Sequence, residues 1–155
     1  MQHSLTSVIV LNGHHGNEQY LEDLHKVFNN PAIAAAAAAT APSGTDTRVI
    51  SRIRLQTCHY WKYMKHEFDH AGFVETSIML AISDKVNMKK AKKGLITNGL
   101  SEKEIQRIKK LSTQPGGFPK VAKNGVWGDP TGATKKDGEK FLAEIVGNLA
   151  KECQT

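Results

Sequence analysis

Cysteine is scarce in this chain. Cys58 and Cys153 are the only two among 155 residues, and they make neither a metal-type spacing nor a disulfide framework. A reducing compartment follows, so the expected location is cytoplasmic. Long apolar runs are also missing, and nothing approaches the roughly 20 residues of a membrane span. The chain opens Met-Gln-His-Ser-Leu and passes straight into an apolar run. It shows no basic n-region with a long apolar core, and no secretory signal is expected. Aromatic residues are 6% of the total and rarely interleave with the lysines, which leaves no stacking platform for single-stranded nucleic acid. The net charge of +6 is spread over several lysine clusters, such as Lys89–Lys93 and Lys103–Lys110. A solvated basic surface is the better reading of that charge. Neither nucleic acid nor a membrane is therefore an expected partner.

The remaining composition is that of one globular domain, with 39% hydrophobic and 23% charged residues. The chain is organised around Ser7–Asn17. Val8, Ile9, Val10 and Leu11 form a short continuous apolar run, closed by Asn12-Gly13. Such a run predicts a strand buried on both faces of a parallel sheet. A polar turn follows with His14, His15, Gly16 and Asn17, where open α/β sheets keep their ligands, beyond the carboxyl ends of strands. Tyr20, Leu21, Leu24, Val27 and Phe28 then fall at helical spacing, with Glu22, Asp23 and Lys26 on the other face. Asn17 is a candidate N-cap, and Asn29-Asn30-Pro31 closes the helix. Residues 31–47 carry six consecutive alanines and then Thr/Pro/Ser/Gly loop chemistry, a low-complexity excursion with no catalytic signal. Val49–His59 returns to strand character and ends in Cys58-His59-Tyr60-Trp61, completing a β-α-β crossover.

His66–Leu80 is the second focus. His70 precedes Ala71-Gly72, and Glu75 opens an apolar stretch, Ile78–Ile82, that reads as a buried helix. Glu75 at its first turn suits the helix dipole. His66 and His70 are four apart and could share a helix face, though no zincin motif accompanies them. Ser101-Glu102-Lys103-Glu104 has the form of a capping box. A Gly-rich stretch over 125–134 lacks the P-loop lysine. The chain closes in an amphipathic helix bearing Phe141, Leu142, Ile145, Val146 and Leu149 on one face.

Three of these stretches combine. Asn12-Gly-His-His-Gly-Asn17, His70-Ala-Gly-Phe-Val-Glu-Thr-Ser77 and Gly125-Val-Trp-Gly-Asp-Pro130 come in an order that resembles the creatininase (creatinine amidohydrolase) family. The resemblance covers nearly the whole chain apart from residues 31–47. It implies an α/β fold of three layers, α/β/α, with a mostly parallel sheet. It also implies a metal-dependent hydrolase that cleaves an amide C–N bond, often a cyclic one, with zinc or manganese. Assembly is expected as a symmetric homo-oligomer, typically a hexamer. Carried over residue by residue, His14 and Glu75 are metal ligands and His70 is the catalytic histidine beside the reacting group. Trp61, His15 and Asn17 are placed around a small-molecule amide substrate.

Departures qualify the resemblance. Creatininase proper has a carboxylate at the position of Gly16, which argues against creatinine as substrate, and Phe73 stands where several relatives have Glu. Family members also carry a Glu-x-His segment and a following Asp ahead of the Asn-Gly-His strand. This chain begins just before that strand, so the first strands of the sheet and part of the metal site are expected to be missing. Two readings follow: a hydrolase completed by an N-terminal fragment, or a non-catalytic scaffold or interaction subunit.

Overall fold

The computed structural model describes residues 7–43, 54–67 and 69–152. The chain divides into two compact units, Met1–Lys62 and Tyr63–Thr155.

The first unit is built on two parallel strands, β1 (Ser7–Asn12) and β2 (Arg54–His59), paired from Ser7 with Arg54 to Asn12 with His59. Between them run helices α1 (Glu18–Phe28) and α2 (Pro31–Ala39). The α1 helix packs on β2. Asn29, at its C-terminal cap, ties the two together by donating from Nδ2 to the carbonyls of His25 at 3.0 Å and Leu55 at 2.9 Å. Leu55, Cys58 and His59 are the buried side chains of β2.

Several expectations change here. β1 is not buried on both faces: Ile9 is 44% and Leu11 55% exposed, and Asn12 alone in the strand is buried. With one pairing partner among the described residues, β1 is an edge strand and its apolar side chains stay accessible. Asn17 holds the N-cap position of α1 without a side-chain hydrogen bond, because its backbone is already helical. Part of the 31–47 excursion is helical: Asn30 caps α2 by accepting from the Ala32 amide at 2.9 Å, Pro31 opens it, and alanine propensity carries it through Ala39. The second strand is described only from Arg54. Its expected beginning at Val49, like the end of the excursion at 44–47, lies outside the described residues.

The second unit is helical, with α3 (Phe73–Ile82), α4 (Glu102–Ser112), α5 (Phe118–Val121) and α6 (Lys135–Glu152). The α3–α6 contact is its most extensive packing, and it depends on Gly138. A Cβ there would run into the carbonyl of Ser77. Val74 and Ser77 of α3 and Ile145 of α6 are buried along this contact. α3 is otherwise less buried than its apolar sequence suggests, with Met79 45% and Ile82 61% exposed. His66 and His70 do not share a helix face, since both precede α3 in irregular backbone. His66 instead packs against the rings of Phe73 and Phe141 at 5.9 and 5.3 Å.

The capping box forms as read. Ser101 Oγ accepts from the Glu104 amide, and the Glu104 carboxylate accepts from the Ser101 amide at 2.9 Å. The Ser101 hydroxyl and amide together hold the Glu104 carboxyl below the ordinary glutamate range. Asp137 at the start of α6 is likewise held low, first by the Thr134 hydroxyl and then by Lys140. No helix among the described residues is long and apolar enough to cross a membrane.

Candidate functional site

The first unit places its polar turn directly at the carboxyl ends of β1 and β2. Asn12 organises it. Its Oδ1 accepts from the His14 amide at 3.0 Å, and its Nδ2 lies 3.0 Å from His59 Nδ1 across the strand pair. A buried carboxamide needs partners on both sides, and here it locks the turn to the strand beside it. A short 3-10 turn, His15–Asn17, continues into α1, with the Asn17 amide donating to the His14 carbonyl at 3.0 Å.

His14 folds back over Gly16 so closely that a Cβ at Gly16 would stand 2.8 Å from His14 Nε2. The glycine at the position where creatininase proper has a carboxylate thus makes room for the histidine ring. His15 stacks on Trp61 with ring centroids 5.3 Å apart, and His59 lies on Trp61 at 5.1 Å. His14, His15, Asn17 and Trp61 are therefore gathered at one end of the strand pair.

Sequence reasoning missed three residues of this region: Glu18, Glu22 and His59. Each offers one ligand atom, and the three atoms all lie within 4.8 Å of one another. Glu18 and Glu22 are four apart on α1, the spacing that stacks side chains on one helix face. That spacing and the pairing of His59 with Asn12 were the available signals. Lys62 reaches the same carboxylates, with Nζ 3.0 Å from Glu18 Oε1 and 3.8 Å from Glu22 Oε1. His15 Nε2 approaches Glu18 Oε2 at 3.4 Å. One imidazole with two carboxylates is a donor set that suits a divalent ion such as zinc or manganese.

The second unit holds the other two sequence-derived residues, His70 and Glu75, in a loop fastened from every side. His70 and Trp127 exchange both backbone hydrogen bonds, at 3.0 and 2.8 Å. Asp69, which sequence reasoning also missed, caps α3 by accepting from the amides of Val74 at 2.8 Å and Glu75 at 3.1 Å. Glu75 Oε2 accepts from the Ala71 amide at 2.7 Å and lies 3.8 Å from His70 Nδ1. Thr76 donates its hydroxyl to the Ala71 carbonyl at 3.2 Å, and Ser77 Oγ accepts from the Thr134 amide at 3.2 Å. Ala71 is thereby held at φ +50°, an uncommon conformation for a residue with a Cβ. The His70 ring meets Phe118 edge-on at 4.8 Å and keeps 35% of its side chain exposed. The Glu-Thr-Ser triplet therefore has a structural duty: Glu75 and Thr76 tie down the loop that presents His70, and Ser77 holds the backbone at Thr134.

Known proteins bear on these arrangements. The Creatininase family model, described as creatinine amidohydrolase, matches residues 1–153. The chain is 28% identical over 141 residues to the mycofactocin precursor peptide peptidase of Mycobacterium ulcerans, covering 90% of this chain and 44% of that protein. It is also 28% identical over 145 residues to the protein of the same name from Mycolicibacterium smegmatis, covering 92% and 47%. The chain thus spans about half the length of the curated relatives it matches. A crystal structure described as a creatinine amidohydrolase from Bacteroides fragilis has the same fold, with a TM-score of 0.57 and 23% identity over 92% of this chain and 51% of that one. A parallel strand pair with helices agrees with these matches, and the chain belongs to the Creatininase family.

Proposed function

We propose that this protein takes part in metal-dependent hydrolysis of an amide bond, with a peptide as the substrate class. Family membership supports hydrolysis, and the relatives named as peptide peptidases support the substrate. The single observation that carries the catalytic reading is the His70 loop. Six hydrogen bonds from Asp69, Glu75, Thr76 and Trp127 hold the backbone around a partly exposed imidazole. Preorganisation of this kind suits a group that moves a proton at a fixed place.

In this reading His14 and Glu75 are metal ligands, His70 is the residue that delivers a proton to the leaving nitrogen, and Trp61, His15 and Asn17 are substrate-contacting residues. Glu75 can serve both purposes, since a carboxylate has two oxygens and about four lone-pair sites, of which the Ala71 amide occupies one on Oε2. A bound divalent ion would polarise the scissile carbonyl and make water a stronger acid. Completion of the site by an N-terminal segment or by further copies of the chain is part of the proposal.

The test is cleavage of a short peptide library by the purified chain with added zinc or manganese, followed by mass spectrometry. His70→Asn is expected to lower kcat by roughly 10²-fold or more. Equal turnover by the variant would remove the reading. The scaffold reading draws on a different observation, the exposure of Ile9, Leu11, Val27 and Phe28 on β1 and α1. It expects self-association by light scattering with no cleavage under any metal.

A further inference from the structure

We infer that Glu18, Glu22 and His59 form a divalent-cation site of their own, selective for ions that accept imidazole, with Lys62 as its internal competitor. It is separate from His14 and Glu75 and does not rest on the proposed hydrolysis.

Two independent observations meet here. The first is the donor set, with three ligand atoms within 4.8 Å of one another. The second is His59 itself. Only 3% of the residue is exposed, and its Nε2 is buried without a hydrogen-bond partner among the described residues. A buried polar atom left unpaired costs about 1–3 kcal/mol, so a native structure is expected to give it a use. The two carboxylates sit one helical turn apart on α1, near the His59 ring. Atoms bound tetrahedrally to one zinc at about 2.0–2.2 Å stand roughly 3.3–3.6 Å apart. From separations of up to 4.8 Å the carboxylates therefore need to close by as much as about 1.5 Å, a rotamer adjustment open to two half-buried glutamate side chains.

Charge and tautomer explain why the site is a weak one. The Lys62 ammonium already sits on both carboxylates, at 3.0 and 3.8 Å, and a cation has to displace it. The His14 amide can only donate, so Asn12 turns its oxygen toward that amide and its NH2 toward His59 Nδ1. His59 Nδ1 is then the acceptor, and the neutral ring carries its proton on Nε2. A cation on Nε2 requires that proton on Nδ1 and the Asn12 carboxamide turned over, at the cost of the His14 amide bond. An aspartate at position 12 would accept from both groups and remove the conflict. That is the carboxylate–histidine–metal arrangement that raises ligand affinity.

The test is calorimetric titration of the full chain with zinc chloride, with 15N NMR of the His59 ring as the second readout. One ion is expected at this site per chain, marked by a shift of the His59 Nε2 resonance. Glu22→Gln is expected to weaken binding about tenfold or more, whereas Lys62→Met and Asn12→Asp each tighten it about tenfold. Only the backbone amide of His14 enters this site, so His14→Ala is the variant that tells it from the turn. No binding by either the wild type or Lys62→Met would overturn the inference. Binding that persists in Glu22→Gln but vanishes in His14→Ala would overturn it too, because the ion would then sit at the turn. Peptide cleavage can fail while this titration succeeds, so the two proposals stand or fall apart.

Discussion

The two motif loops of this chain are built in opposite ways. In the second unit, His70 sits in a loop whose backbone and neighbouring side chains are satisfied almost atom by atom, next to a helix that buries Val74 and Ser77. In the first unit, the His14 turn depends on Asn12 and lies among exposed residues, and α1 beside it buries none of its side chains. α1 is nonetheless the more amphipathic sequence of the two. Periodicity therefore tells which face of a helix is apolar and not how deeply that face is covered. The mainly apolar α3 gains its fixed position from a few close approaches to α6 instead.

The strongest way to break the contrast is at Gly138. Gly138→Val is expected to cost about 3 kcal/mol or more, because the new Cβ meets the Ser77 carbonyl and a helix has to move. Gly147 lies on the same helix, and a methyl added there would have nothing within 4 Å. Gly147→Ala is expected to stabilise by about 0.5–1 kcal/mol through helix propensity. Urea denaturation followed by circular dichroism measures both, and equal losses would show that the close approach is unimportant.

Next in size is Asn12→Ala. It strands the His14 amide and His59 Nδ1, and about 1–3 kcal/mol of stability is expected to go with them. Hydrogen exchange sharpens the same point. Amides of α3 are expected to exchange more slowly than those of α1, and the reverse order would contradict the contrast in burial.

Ser101→Ala is a smaller effect, about 1 kcal/mol for a lost cap. The smallest is in acid. The carboxyls of Glu104 and Asp137 are held below their ordinary values by hydroxyl and amide donors. A lowered folded-state value means the contribution is complete above the unfolded-state value and disappears as pH falls through the folded one. Stability is therefore expected to decline on acidification below the usual carboxylate range. Ser101→Ala should flatten the part of that decline due to Glu104, as read from thermal melts against pH.

How far the sequence could be read varied with the range of the interactions involved. The β1 run, the α1 spacing, the Ser101 capping box and the amphipathic α6 are local patterns, and each element forms close to where those patterns place it. The two motifs that mark the family are local as well. Glu18, Glu22 and His59 escaped because their meeting needs β2 brought beside β1 in one particular register, with Asn12 opposite His59. Asp69 escaped because capping from four positions before α3 needs the bent backbone of Ala71 and Gly72. The six alanines were legible only in part, since propensity favours a helix but says nothing of what surrounds it.

By itself, then, the sequence determined where β1, α1 and α6 form, the capping box at Ser101, and to which family the chain belongs. These depend on neighbours a few residues apart, through backbone propensity, hydrophobic period and short motifs. Only the tertiary structure decided that β1 pairs with β2 alone among the described residues and that Glu75 and Thr76 fasten the His70 loop. It also decided that two glutamates, a buried histidine and a lysine share one place at the end of a parallel strand pair. Those outcomes come from strand register and helix contact, which bring together groups far apart in the chain, as Asn12 and His59 or His70 and Trp127 are, and no local pattern records them.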